Sequence, residues 1–230
     1  MIGIIGAMES EVCTLIASMQ EKQERTICGI TYYTGSLCGK DVVLARAGIG
    51  KVNAALCAQT MILTFSPSLI INTGVAGAIS PKLKVGDGVI ATSLVEHDMD
   101  TTPVGDPMGL LTIAGENIVE IPTSKEAQVS LAAAAKEVGL NTLLGMIATG
   151  DQFIATPEQK AHIKSHFDAV ACEMEGGAIA HACYGAKVPC AVLRAISDTA
   201  DGKSHVDYPT FVKAAAQKSA QVVMAFLNNL

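Results

Sequence analysis

A chain of 230 residues that is 50% hydrophobic and 17% charged has the apolar content for a sizeable packed core and is not a disordered segment. Its formal net charge of −6, with 16 scattered basic residues, argues against a nucleic-acid backbone or an anionic membrane as partner. Seven cysteines (13, 28, 38, 57, 172, 183, 190) include no C-x-x-C pair, so they read as idle thiols of a reducing cytoplasm. No signal peptide and no membrane-length apolar run is apparent, so a cytoplasmic location is expected.

In chain order, Ile2–Ile5 predicts a buried strand, and Val12, Leu15, Ile16 and Met19 recur at helical spacing from a start near Met8 or Glu9. Two β-rich runs, Ile30–Ser36 and Asp41–Ala47, flank Gly39-Lys40 and predict a hairpin. A helix over Val52–Leu63 is expected to stop at Ser66-Pro67. Leu69–Asn72 reads as a buried strand broken into a glycine-rich loop at Gly74 and Gly77, and Gly88–Glu96 as another strand. From His97 to Thr123 the chain is rich in Gly, Pro, Thr and Asp, which suggests a long functional loop or interface arm. Ser124–Val138 is helical with Ser124 as N-cap; Leu143–Thr149 is a strand, and a short helix Glu158–His166 follows Pro157. Ala169–Met174 and Cys190–Ser197 read as strands, Gly176–Tyr184 and Tyr208–Leu227 as helices. Strands alternating with helices around one hairpin predict a single-domain three-layer α/β/α sandwich over residues 1–230, with a central mixed twisted sheet.

Ligands of open α/β sheets collect at the carboxyl ends of strands, so the polar residues found there are the candidates for chemistry. Glu9 and Glu11 follow the first strand, "TGVAG" follows "LIIN", Asp151 and Phe153 follow "LLGMIATG", Glu175 follows "AVACEM", and Asp198 follows "CAVLRAIS". Arg194 is the one cation inside these strand-end motifs. Each acid also has a plainer use: Glu9 or Glu11 can complement a helix dipole, Glu175 can cap a helix, and Asp198 can belong to a turn. Together, acids gathered at one sheet edge repel each other and so point to a use.

Rival constellations are weaker. His162 and His166 stand four apart on a short helix but lack a nearby third metal ligand. "EHDMD" at Glu96–Asp100 reads as the start of a polar loop. "GIGKVNAA" at Gly48–Ala55 lacks the G-x-x-x-x-G-K-[ST] spacing of a phosphate loop, although Arg46 and Lys51 flank "AGIG" and keep a phosphate site open. No dinucleotide fingerprint and no G-x-S-x-G elbow is present. The chemistry expected is carboxylate chemistry, with no metal and no cofactor.

Taken in order, "GIIGAMESEV", "AGIGKVNAA", "INTGVAGAI", "LKVGDGV", "TGDQFI", "EMEGGAIAH" and "RAISDTAD…SH" resemble the 5′-methylthioadenosine/S-adenosylhomocysteine nucleosidases of the purine nucleoside phosphorylase-like superfamily. The resemblance runs from the first strand to the last helix. It implies hydrolysis of the N-glycosidic bond of 5′-substituted adenosines, with Asp198 as acid to adenine N7 supported by Ser197, and Glu11 as base for water. Glu175 would grip the ribose hydroxyls, and Arg194 would help place the water and hold neighbouring carboxylates in register. Phe153 would stack on adenine and the Ile154 backbone would read its edge. Met8, Ile49, Ala76, Gly77, Met174 and Tyr208 would line the rest of the substrate pocket. It also implies a homodimer in which loop 98–113 completes the neighbour's pocket. Phosphorolysis, an aminodeoxyfutalosine substrate, a nucleotide substrate and a non-catalytic nucleoside binder stay open as alternatives. Two departures stand out: Val75 occupies a position where many members have serine, and loop 98–113 is short of aromatics.

Overall fold

The computed structural model describes residues 1–199 and 204–230, with side chains through 199 and again from 210. The chain opens with β1 (Ile2–Gly6) and α1 (Glu9–Ser18), followed by the meander β2 (Gln20–Ile27), β3 (Ile30–Leu37) and β4 (Lys40–Arg46). Then come α2 (Lys51–Phe65), β5 (Leu69–Ala78) and β6 (Gly88–Glu96). An arm follows, carrying a 3₁₀ turn at Thr102–Val104 and the short strands β7 (Leu111–Ile113), β8 (Glu116–Ile118) and β9 (Ile121–Pro122). The rest is α3 (Lys125–Glu137), β10 (Thr142–Thr149), α4 (Pro157–His166), β11 (Ala169–Glu173), α5 (Gly176–Ala186), β12 (Cys190–Asp198) and α6 (Ser204–Asn228).

The sheet runs β11-β10-β6-β12-β5-β1-β4-β3-β2 and is mixed. β1 pairs parallel with both β4 and β5, and β12 pairs parallel with β5 but antiparallel with β6. β11 also reaches the far end of β5, pairing Cys172 with Gly77 and Ala171 with Ala78, so five strands close on themselves. Register shifts at Met146/Ile147 and Ile196/Asp198 supply the local bending that such closure needs.

Strand period decides the two faces. Ile4, Leu44, Ile71, Ile90 and Leu193 pack with α1, α3 and α6, whereas their neighbours Ile5, Val43, Ile70, Val89 and Val192 pack with α2 and α5. Helical spacing does the same from the other side, with Ala54, Cys57, Ala58 and Met61 forming the buried stripe of α2.

Three expectations are corrected. β2 is absent from the sequence reading because "QEKQERTI" has no apolar alternation; it is an edge strand whose residues are nearly all exposed, and charge protects such an edge from further pairing. The "TGVAG" segment is not a loop: β5 continues through it to Ala78, held by β12 along its length. The segment 97–123 is partly regular, with β7 and β8 forming a small hairpin and β9 docking on β6.

Glycine serves β5 by close approach. A Cβ at Gly74 would lie 2.9 Å from the carboxyl carbon of Glu11 and 3.1 Å from Nη1 of Arg194. Gly74→Ala is therefore expected to lower stability by about 1–3 kcal/mol through overpacking and to displace Glu11. Chemical denaturation measures the first effect, and an unchanged unfolding midpoint would contradict it.

Candidate active site

The carboxyl ends of β1, β5, β11 and β12 open into one cleft of about 310 Å³. Its wall includes Ala7, Met8 and Glu11 from the β1–α1 turn, Ile49 before α2, and Val75, Ala76 and Gly77 from β5. Gln152, Phe153 and Ile154 close one side; Cys172, Glu173, Met174 and Glu175 close another, beside Ser197 and Asp198. Four lining residues are carboxylic acids, and among the described lining residues none is Lys, Arg or His.

The opening acid pair divides. Glu9 turns outward and pairs with Arg46 at 2.9 Å, both well exposed, an arrangement of little energetic weight. Glu11 turns inward and is buried. Its Oε2 accepts from the backbone N–H of Ala7 at 2.7 Å and of Met8 at 2.9 Å, and its Oε1 accepts from Val75 N–H at 3.1 Å. Burial raises the Glu11 pKa above its ordinary value, while Arg194 and the three N–H donors pull against that rise. The residue that joins β5 to Glu11 is Val75, through its amide; its side chain packs with Met8, Ala195, Ala215 and Ala216.

Glu175 immediately precedes α5, yet its carboxylate points to another helix. Its Oε1 accepts from the N–H of Gly50, at 2.9 Å, at the N-terminus of α2. Gly50 holds φ near 96°, a conformation that suits glycine and aims this amide into the cleft. The next amide, of Lys51, donates to Asp151 Oδ1 at 2.7 Å. Burial and the neighbouring Glu173 charge push the Glu175 pKa up to about 7, against the pull of Arg194.

Arg194 does not line the cleft. It lies beneath it, almost fully buried, where its guanidinium donates to Glu173 and to the Asn72 carbonyl and comes within 3.9 Å of Glu175. Glu173 also accepts from the amides of Glu175 at 3.1 Å and Gly176 at 2.7 Å, and from the Thr149 hydroxyl. Asn72 passes the chain on, donating to Ile5 C=O at 2.9 Å. Glu173 escaped the sequence reading because it sits inside an apolar strand. The available signal was its spacing of two from Glu175, which puts both on one face of an extended segment.

Asp198 is buried at the end of β12 and accepts from the Ser197 hydroxyl at 3.0 Å. Lys160 on α4 donates to Thr199 C=O at 3.0 Å, tying down the turn that follows. Phe153 is 45% exposed and Ile49 55%, so both present open apolar surface at the cleft mouth. The side chain of Tyr208 lies outside the described residues. Thus Met8, Glu11, Ile49, Ala76, Gly77, Phe153, Ile154, Met174, Glu175, Ser197 and Asp198 come together, with Arg194 behind them.

A sandwich of this topology, with four acids and an exposed aromatic around a cleft free of described cationic lining, defines a class: an α/β protein with an acidic pocket sized for a small organic molecule. The chain belongs to the phosphorylase superfamily, whose sequence model matches residues 1–228. It is 40% identical, over the whole of both chains, to the 5′-methylthioadenosine/S-adenosylhomocysteine nucleosidase of Staphylococcus carnosus. The crystal structure of the Neisseria meningitidis nucleosidase of the same name, in complex with methylthio-immucillin-A, superposes with a TM-score of 0.95 at 36% identity. It covers 100% of this chain and 99% of that one. A futalosine hydrolase of Helicobacter pylori superposes with a TM-score of 0.94 at 34% identity, covering 100% of this chain and 97% of that one.

A carboxyl group whose pKa is raised from 4.5 to about 7 on folding binds an extra proton in the native state between those values. Its burial therefore costs nothing below pH 4.5, and the cost grows as pH rises through about 7. Glu175→Gln removes that cost, so its stability relative to the parent is expected to be better at pH 8 than at pH 5. Urea unfolding of both proteins at the two pH values checks this, and a constant difference would refute it.

Proposed function

We propose that the chain hydrolyses the N-glycosidic bond of 5′-methylthioadenosine, S-adenosylhomocysteine and related 5′-substituted adenosines, releasing adenine and the 5′-thioribose, with residues 1–230 acting as one catalytic unit. The observation that carries this reading is the convergence of Glu11, Glu175 and Asp198 on one nucleoside-sized cleft beside Phe153. Cleavage of the bond between the anomeric carbon and adenine N9 builds oxocarbenium character on the ribose. Carboxylates in different protonation states serve each part of that reaction. Asp198, supported by the Ser197 hydroxyl, gives a proton to adenine N7 as the bond to N9 breaks. Glu11, whose burial raises it towards the range of a useful base, takes a proton from water as the water oxygen bonds to the anomeric carbon. Glu175 grips the ribose hydroxyls and faces the developing cation. Arg194 acts from below by holding Glu173 and Glu175 in register. Phe153 and Ile154 hold the base; Met8, Ile49 and Met174 offer apolar and thioether surface to the sulfur-bearing tail.

The rival reaction is phosphorolysis, which needs cations and free helix N–H groups around phosphate. Here the α2 N-terminus already serves Glu175 and Asp151, Lys51 is bound to Glu96 and Asp98, and Arg46 to Glu9. Those contacts favour water as the nucleophile. Adenine release is therefore expected in phosphate-free buffer, with no gain when phosphate is added; a requirement for phosphate would overturn the assignment. Asp198→Asn and Glu11→Gln are each expected to lower turnover by at least about 10²-fold, with folding retained by circular dichroism. The likeness to a futalosine hydrolase gives a reason to include 6-amino-6-deoxyfutalosine in the same assay, beside the two thionucleosides and 5′-deoxyadenosine.

The chain also carries a solvent-facing apolar stripe on α2, with Val52 69%, Leu56 58% and Leu63 74% exposed, and Val104 on the arm is 80% exposed. Such a surface suits a homodimer in which loop 98–113 completes the neighbouring cleft. Leu56→Lys is expected to give monomers in sedimentation experiments; an unchanged sedimentation coefficient would contradict this interface.

A further inference from the structure

Behind the cleft lies a second polar cluster that the reaction outlined above does not use. Lys51 Nζ donates to Glu96 Oε2 at 2.9 Å and to Asp98 Oδ1 at 2.7 Å, and His181 Nδ1 meets Glu96 Oε1 at 2.9 Å. The other oxygen of Asp98 accepts from the amide of Asp151 at 2.8 Å, and Asp151 Oδ1 accepts from the amide of Lys51. Asp98, Lys51 and Asp151 thus close a triangle of charge-assisted contacts.

The triangle lies next in sequence to residues that line the cleft or hold its lining. Lys51 is the residue after Gly50, whose amide holds Glu175. Asp151 is two residues before Phe153 and three before Ile154. Asp98 itself stands at the root of the arm, two residues after β6 ends at Glu96. One carboxylate therefore ties together three chain segments that are far apart in sequence, two of which carry opposite sides of the binding site.

We infer that Asp98 and Lys51 are positioning residues, which set the distance between the ribose wall at Glu175 and the base wall at Phe153 and Ile154. The inference rests on the substrate placement proposed above. Burial opposes every charge in the cluster, yet the mutual contacts outweigh it. Lys51 is held above the usual ammonium range, and Glu96 and Asp98 below the usual carboxylate range. Lys51, Glu96 and Asp98 thus hold their charges against burial, and their contacts fasten the start of α2 to the root of the arm. His97, buried beside Asp98, is lowered by burial and stays neutral, so it adds no competing charge.

The test is a double-mutant cycle with Asp98→Asn, Lys51→Met and the pair, reading KM and kcat for 5′-methylthioadenosine well below each unfolding midpoint. Each single variant is expected to lower kcat/KM by at least about tenfold, mainly through KM, because both walls grip the bound nucleoside. The double variant is expected to lose less than the two single losses combined, since the two residues share the Lys51 Nζ–Asp98 Oδ1 contact. Asp98→Glu, which keeps the charge, should recover part of the loss. Lowered thermal stability with kcat/KM within twofold of the parent would make the cluster merely structural and overturn the inference; so would strictly additive losses. Should Asp98→Asn fail to fold, Lys51→Met is judged alone: KM raised without loss of thermal stability supports the inference, and an unchanged KM overturns it. Glu175→Gln separates this claim from the one beneath it. If that variant turns over normally, the placement of substrate has failed; if it is inactive while the Asp98 and Lys51 variants are normal, only the present inference has.

Discussion

Three of the four carboxylic acids around one small cleft, Glu11, Glu173 and Glu175, crowd one another, and the cost of that crowding is met by a guanidinium that never reaches the cleft surface. Arg194 is buried beneath Glu173 and Glu175, bound to the first and within 3.9 Å of the second, and its charge also lowers Glu11. Removing a charge this deep from water is costly, and the contacts to Glu173 and the Asn72 carbonyl are what offset it. The arrangement separates two tasks that one surface arginine would confuse. The cation meets the acids from behind, and none of the described residues lining the cleft is Lys, Arg or His.

The backbone shares in this. Glu11 takes two amides from the turn before α1 and one from β5, so the carboxylate that the sequence places on a helix is held by turn and strand. Glu173 takes the amides at the start of α5, and Glu175 takes one from the start of α2. Helix N-termini that could receive an external anion are thus filled by the protein's own acids. The same contacts that orient the candidate acids occupy amides that an external anion would otherwise use.

Much of this was legible without coordinates, and the failures have physical causes. Strands with apolar alternation or fully apolar runs, such as Ile2–Gly6, Gly88–Glu96 and Cys190–Asp198, stand close to where periodicity puts them, because burial is written into each residue. β2 was invisible because an exposed edge strand needs no apolar residue at all. The continuation of β5 through "TGVAGA" was misread because glycine reports what a backbone can do, and here it serves the close approach of Glu11 and Arg194 rather than a turn. Glu9 and Glu11 look alike in sequence; only the direction of each side chain from α1 tells one from the other.

By itself, then, the sequence determined the alternation of strands and helices, the two-sided core and the set of acids at strand ends, since these follow from local pattern and from the rule that sheet ligands lie at carboxyl edges. Tertiary structure decided which acid faces inward, that Arg194 lies under the site rather than in it, and that Lys51 is spent on Glu96 and Asp98. It also brought Gly50 to Glu175 across 125 positions of chain. Such contacts depend on distances between remote segments, and no local pattern of residues encodes a distance.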